Sequence, residues 1–459
     1  MYGVNIDKGP QNWQIIQQEN GFGEIELEGH IEFEQNVYDR GNMRVYVRIV
    51  DENSGCRVTD LCIADLKDDK WKAKIKVPAG GPYRLESYLR FYKNWERRGD
   101  RIFHLGVGDI YVICGQSNAV GVAKDVARDE VSLDVHTYRH SGKWDVAAHP
   151  LNDSTDTIYP EIAETVQCGA SPWITFGKVL SKKLGYPIGL IPTAVGGTPL
   201  SFWNKRENGK LFDSMKKVVN DAANGKIKGI LWSQGCNDAE TSNEEERITY
   251  LERFKDVCKD FEDTFYKGIP ILTVQLNKVV CTKTADLQKK ATGFAKIREA
   301  QRKAAKEISN VYVVPSIDQM VCDGIHNSAM SVIVIGERVA NSALKYVYGK
   351  QIICDAPDIR SAEIVEQTKV VMHFDNVYDL IDTDVINIEN MMFSVTDEAG
   401  RITPCDYDFL GDDSLVLFFD RKIEKNATLN CDGFNDTGLI PYELYSYLPI
   451  MPFNDFKLN

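Results

Sequence analysis

The alternation of polar and apolar positions is clearest near the N-terminus. In the stretch KWKAKIKV, lysines at 70, 72, 74 and 76 interleave with Trp71, Ala73, Ile75 and Val77, the period of two that a half-buried strand requires. RVYVRIV at 44–50 reads the same way, and the PAGGP run at 78–82 supplies a turn between strands. Residues 1–105 are therefore expected to form a small β-sandwich-like module. Near residue 106 the pattern changes to short apolar runs at 109–114, 188–194, 229–233, 269–274 and 311–315, separated by helical periodicity. One helix is expected from Ser171-Pro172, with Trp173, Phe176, Leu180 and Leu184 on one face and Gly185 ending it. A second carries Ile248, Leu251, Phe254, Cys258, Phe261 and Phe265, and a third follows HNSAM and runs to about Tyr348. Strands alternating with helices predict an α/β domain over 106–350, built on a parallel sheet covered on both faces. From about 351 to 459, runs such as KVVMHFDNVYDLI and SLVLFF return to strand-like text and predict a second β-rich module.

Composition narrows the function classes. The chain has 459 residues, 43% of them hydrophobic, enough for more than one core. Its formal net charge is -13, with acids and bases interspersed, so no basic stripe offers itself to nucleic acid. No apolar segment approaches the roughly 18 residues of a membrane span, and the first residues lack the basic-then-apolar pattern of a signal peptide. The chain as written is expected in the cytoplasm, and in the periplasm or outside the cell if a leader has been removed. Eleven scattered cysteines without a C-x-x-C pair indicate reduced thiols in place of a disulfide framework or zinc knuckle.

Candidate chemistry gathers where the strands end. In open parallel sheets, ligands bind beyond the carboxyl ends of the strands. The first run leads into VICGQSNAVG, which places Ser117 just past a buried strand between glycines that permit a sharp exit. The second leads to AVGGTPLSFW with Gly196, Gly197 and Trp203, and the third to SQGCND with Gln234 and Asn237. The fourth is followed by Gln275, and the fifth by VCDGIH with Asp323 and His326. A serine hydroxyl needs an adjacent base, and that base needs a partner to fix its tautomer. His326 can be the base and Asp323, three residues earlier, the partner. The negative oxygen of a tetrahedral intermediate needs donors: the Ser117 and Gly196 N–H groups and a side-chain amide from Gln234 or Asn237. Gln116, Gln275 and Trp203 are the candidate substrate contacts. Taken singly, Ser117 can be a turn residue, Asp323 a helix cap, and Trp203 a core ring. Their joint placement on one sheet edge favours acyl transfer.

These blocks resemble the SGNH hydrolases, and within them the sialate O-acetylesterase-like carbohydrate esterases. GQSNAVG looks like the nucleophile block, AVGGTPLSFW the glycine block, GILWSQGCNDAE the third block, and DGIH the Asp-x-x-His block. VPAGGPYRL, IREAQ at 297–301 and the closing LPIMPF extend the likeness to most of the chain. The resemblance implies a flavodoxin-like three-layer catalytic domain flanked by β-modules, with Ser117 as nucleophile, His326 as base and Asp323 as its orienter. It implies an acetylated sugar as partner and no metal or organic cofactor. One departure matters: relatives commonly read WYQGESN where this chain reads WSQGCND, which puts Cys236 in place of a glutamate and Asp238 at the final position. Anchoring on Gln234-Gly235 favours Gln234 slightly as the oxyanion donor, and a Gly-x-Asn-Asp pattern nominates Asn237.

The competing architecture is the α/β-hydrolase fold, which usually carries acid and base on separate loops; the Asp323–His326 spacing counts against it. Sialic acid is the first substrate implied, with acetylated xylan or another plant polysaccharide as the alternative. A sialic acid carries a carboxylate and calls for an arginine in an acidic protein, for which Arg139 and Arg298 are candidates. A different class altogether is a carbohydrate-binding protein without turnover.

Overall fold

The computed structural model describes residues 3–32, 42–91, 95–125, 128–165, 167–280, 284–383, 388, 391–431 and 440–458. It is a mixed α/β molecule with several sheets. Near the N-terminus, Gly3–Lys8, Phe22–Glu32, Lys70–Pro78 and Asp65–Lys67 form a four-stranded sheet. Its register sets Lys72, Lys74 and Lys76 opposite Glu28, Glu26 and Glu24 on the outer face. Trp71, Ile75 and Val77 point inward and are buried with Val45, Val47 and Leu85 of the facing strands.

The central sheet runs in the order Trp144–Val146, Val135–Tyr138, Ile188–Pro192, Trp95–Gly115, Gly229–Ser233, Ile271–Val274, Val311–Val314. All neighbours are parallel except the Trp144–Val146 edge strand. The run after Asp109 is continuously apolar because both faces are covered. Ile110, Val112 and Cys114 pack with Phe212, Phe254, Phe261 and Ile297 of the helices Lys210–Ala223, Tyr250–Thr264 and Thr284–Glu307. Tyr111 and Ile113 pack with Trp173, Phe176 and Leu180 of Trp173–Leu184 and with Ile335 and Val339 of Ala329–Tyr346. The Trp95–Gly115 strand is 21 residues long; its first part pairs with Gly80–Phe91 and its last part is the middle of the parallel sheet.

Two expected helices differ in detail. The first begins at Trp173 with Pro172 in the capping position, one residue later than expected, and ends on Gly185 at φ 79°. Ile248, expected on the buried face of the second, closes the separate short helix Glu244–Ile248 and is 68% exposed. Beyond residue 355, Asp358–Val365, Lys369–Asp375, Ser414–Phe418 and Asp406–Phe409 form one antiparallel sheet, and Gly400–Ile402, Phe393–Asp397, Thr428–Cys431 and Phe456–Lys457 another. They share a core of Met372, Phe374, Phe393, Leu415, Leu417 and Phe453. The described cysteines are free thiols, of which Cys56, Cys322 and Cys405 are exposed. Among the described residues no helix is long and apolar enough to cross a membrane.

Candidate active site

The central strand leaves the sheet at Gly115, whose φ of 125° a side chain rarely adopts. A Cβ there would lie 2.1 Å from the Ser233 carbonyl oxygen, so only glycine permits the close approach of the two strands. Gln116 N–H then donates to Ser233 O at 2.9 Å, and the chain turns into the one-turn helix Ser117–Val120 with Ser117 first.

His326 reaches this hydroxyl from the loop before the Ala329–Tyr346 helix. Its Nε2 lies 2.8 Å from Ser117 Oγ and its Nδ1 lies 2.6 Å from Asp323 Oδ2. A carboxylate accepts only, so Nδ1–H donates to Asp323 and Nε2 is left to accept the serine O–H. The other oxygen, Asp323 Oδ1, accepts the Ile325 and His326 N–H groups at 2.9 Å each. Burial pushes the Asp323 carboxyl up, but these backbone bonds and the imidazole together hold it below the ordinary carboxylate range. Asp323 does not cap the following helix; Ser328 does, accepting from Ser331 N–H. Asn118, which the sequence reading passed over, joins the two loops by donating to Ile325 O at 3.2 Å and accepting from Asn327 N–H at 3.1 Å. Its signal was its position directly after the serine.

The glycine block lies against the same edge. Val195 N–H donates to Gly115 O at 3.1 Å, and Asn237 Nδ2 donates to Gly197 O at 2.8 Å. Gly196, between those two ties, donates its N–H to Glu164 Oε2 at 2.6 Å. Gln116 Oε1 accepts from Gly235 N–H and Asn237 N–H at 3.1 and 3.3 Å, fixing the third loop to the serine turn.

Residues 107–345, more than half of the chain, match the family described as carbohydrate esterase, sialic acid-specific acetylesterase. The chain belongs to this carbohydrate esterase family. Membership makes it a carboxylic ester hydrolase. A probable carbohydrate esterase of Arabidopsis thaliana is 25% identical over 244 residues, 44% of this chain and 90% of that protein. Human sialate O-acetylesterase is 28% identical over 154 residues, 28% of either chain, so the aligned segment spans well under half of the human enzyme. A solved carbohydrate acetylesterase from Xanthomonas citri shares the fold along the whole length: the TM-score is 0.64 at 19% identity, covering 97% of this chain and 99% of that one.

The other expected residues of the esterase are placed differently. Gln234, the slightly preferred oxyanion donor, is 0% exposed. Its Nε2 donates to Asp238 Oδ2 at 2.6 Å and Thr198 O at 3.3 Å, while its Oε1 accepts from Tyr250 O–H at 2.8 Å. That amide is committed to the interior, and half-buried Asn237, with a second amide hydrogen beyond the one on Gly197, is the one left at the edge. Trp203 was expected to stack on sugar; it is 0% exposed and packs edge-on against Trp232 at 5.4 Å, so it closes the core. Gln275, also 0% exposed, donates to Arg298 O and to Pro452 O and so joins the sheet to the C-terminal segment instead of facing a substrate. Gln116, expected as a substrate contact, is 2% exposed and has its side-chain oxygen on the third loop.

The two departures from the relatives are interior as well. Burial pushes the Cys236 thiol up to about 12, which keeps it protonated. Asp238 accepts from Gln234, from Leu200 N–H and from Arg253 Nη1; burial still raises its carboxyl above the ordinary range. Among the described residues no three His, Cys, Asp or Glu side chains are gathered as a metal would require.

Proposed function

We propose that the esterase removes O-acetyl groups from sugars through an acetyl-enzyme on Ser117. The observation that carries this is the chain of contacts from Ser117 Oγ to His326 Nε2 at 2.8 Å and from His326 Nδ1 to Asp323 at 2.6 Å. As Oγ bonds to the acetyl carbon, Nε2 takes the hydroxyl proton, and the carbonyl oxygen becomes an oxyanion held by the N–H groups of Ser117 and Gly196 and the Asn237 amide. Collapse breaks the bond to the sugar oxygen, which receives the proton from Nε2–H. Water then repeats the sequence on the acetyl-serine, with His326 as base, and acetate leaves. In this reading residues 106–350 are a flavodoxin-like three-layer SGNH domain, and 1–105 and 351–459 are β-rich modules beside it.

The family description supports an O-acetylated sialic acid as the sugar, and the 9-O-acetyl ester is the form this reading takes. A second reading, a neutral acetylated saccharide such as acetylated xylan, is favoured by the arginines. Arg139 donates to the carbonyl oxygens of Ala148, Pro150 and Val146, and Arg298, 1% exposed, donates to Asn277 O. Both are engaged within the protein, so neither offers its guanidinium to a sialate carboxylate.

The test is acetate release from p-nitrophenyl acetate, 9-O-acetylated sialic acid and acetylated xylo-oligosaccharides. Ser117→Ala is expected to lower turnover by roughly 10⁶-fold, because serine and base act as a unit. Binding of acetylated sugar by a wild type as inactive as the mutant would replace the esterase mechanism with a binding module.

A further inference from the structure

We propose that Glu164 is a specificity-determining residue: its carboxylate competes with the substrate's acyl oxygen for the Gly196 N–H and ranks acetylated sugars by charge, neutral saccharides above sugar acids. The proposal rests on the acetyl-Ser117 reading.

Glu164 lies between the turn Pro160–Ile162 and the Trp173–Leu184 helix. Its backbone is rooted in the scaffold that carries the glycine block. Glu164 N–H donates to Ser154 Oγ at 2.9 Å, Ser154 Oγ donates to Asn152 O, and Asn152 Nδ2 donates to Ala194 O at 3.0 Å. From that root the side chain crosses to the block itself: Oε2 accepts from Gly196 N–H at 2.6 Å and Oε1 from Thr165 N–H at 2.8 Å. A Cβ on residue 196 would lie 3.0 Å from Oε2, so the glycine lets the carboxylate come close.

A negative oxygen therefore already sits on the amide that the reaction assigns to a negative oxygen. An acetyl ester must displace it, and a charge-assisted N–H···O⁻ bond is roughly twice as strong as the bond a neutral ester carbonyl makes. The displaced carboxylate stays tethered beside the glycine block by its backbone bond to Ser154. A neutral sugar meets only the competition. A sugar acid meets repulsion as well, which weakens with salt because the Debye length shrinks to a few ångströms. Arg139 does not offset this, since its guanidinium is bonded to three backbone carbonyls.

The experiment compares wild type, Glu164→Gln and Glu164→Ala on acetylated xylobiose and 9-O-acetyl-N-acetylneuraminic acid at low and high salt, with Ser117→Ala as control. Wild type is expected to favour the xylobiose ester by about tenfold or more in kcat/KM at low salt, with the gap closing as salt rises. Both variants should gain, up to about threefold on xylobiose from the weaker competitor and at least about tenfold on the sialate. Their sialate rates should also lose the salt dependence. An unchanged substrate ratio and salt slope in both variants, or equal losses on both substrates, overturns the proposal. If that happens while Ser117→Ala is silent, Glu164 alone is rejected; if Ser117→Ala keeps its turnover, the serine reading fails and the proposal with it.

Discussion

Asp323 uses its two oxygens for different purposes, one to shape the loop and one to hold the ring. This explains the three-residue spacing: an acid that caps the backbone of residues two and three positions on brings its second oxygen to the imidazole of the third. The spacing was legible in the sequence because the interaction is local. Gln234 was not, because its partners are Asp238 and Tyr250, and a string of letters does not tell an amide that faces a cleft from one that closes a network. The distinction is measurable. Asn237→Ala should lower kcat by about 10²- to 10³-fold with KM little changed, as loss of one oxyanion donor does. Gln234→Ala should act mainly on the unfolding midpoint, since it strands buried Asp238 and Tyr250 groups at about 1–3 kcal/mol. Equal midpoints together with a selective loss of turnover in Gln234→Ala would reverse the assignment.

At the scale of elements, runs that are apolar on every residue read well, as after Asp109, because both faces of the sheet are covered. Val135–Tyr138 escaped because two of its four residues are buried polar groups. His136 contacts the carbonyl oxygens of Trp13 and Leu133, and Thr137 donates to Leu190 O. The C-terminal β-rich text was recognisable as strands, but not the ion pair that joins two of its segments. Arg421 forks onto Asp397 at 2.7 and 2.9 Å, and Glu424 and Ala399 N–H groups complete the shell. Arg421 first, then those amides, overcome burial and hold the Asp397 carboxyl at about 2. Because the folded value lies below the unfolded one, this stabilisation is complete above the unfolded value near pH 4 and is lost as pH falls toward 2. Chemical denaturation across that window should show wild type losing stability steeply. Asp397→Asn should start lower at neutral pH and lose less, and parallel curves would contradict the assignment.

For the molecule as a whole, the equivalent knot is Asp109, fully buried at the amino end of the parallel sheet. It accepts from Gln17, Gln18, Tyr186 and Tyr348, which joins the segment near the N-terminus, the loop after the Trp173–Leu184 helix and the residues just past the Ala329–Tyr346 helix. Five residues of strand, or six steps, separate it from Gly115, roughly 20 Å. Asp109→Ala should therefore cost about 3 kcal/mol or more in unfolding free energy by leaving those donors unpaired, while folded enzyme keeps its kcat. A large fall in kcat without a change in midpoint would instead tie this end of the sheet to the chemistry.

The 21-residue strand that first pairs with Gly80–Phe91 and ends at the serine turn has a mechanical meaning. No linker interrupts it, so the backbone that pairs with Gly80–Phe91 runs on as one strand to the residue before Gln116, and a distortion of that pairing has a covalent route to the nucleophile's turn.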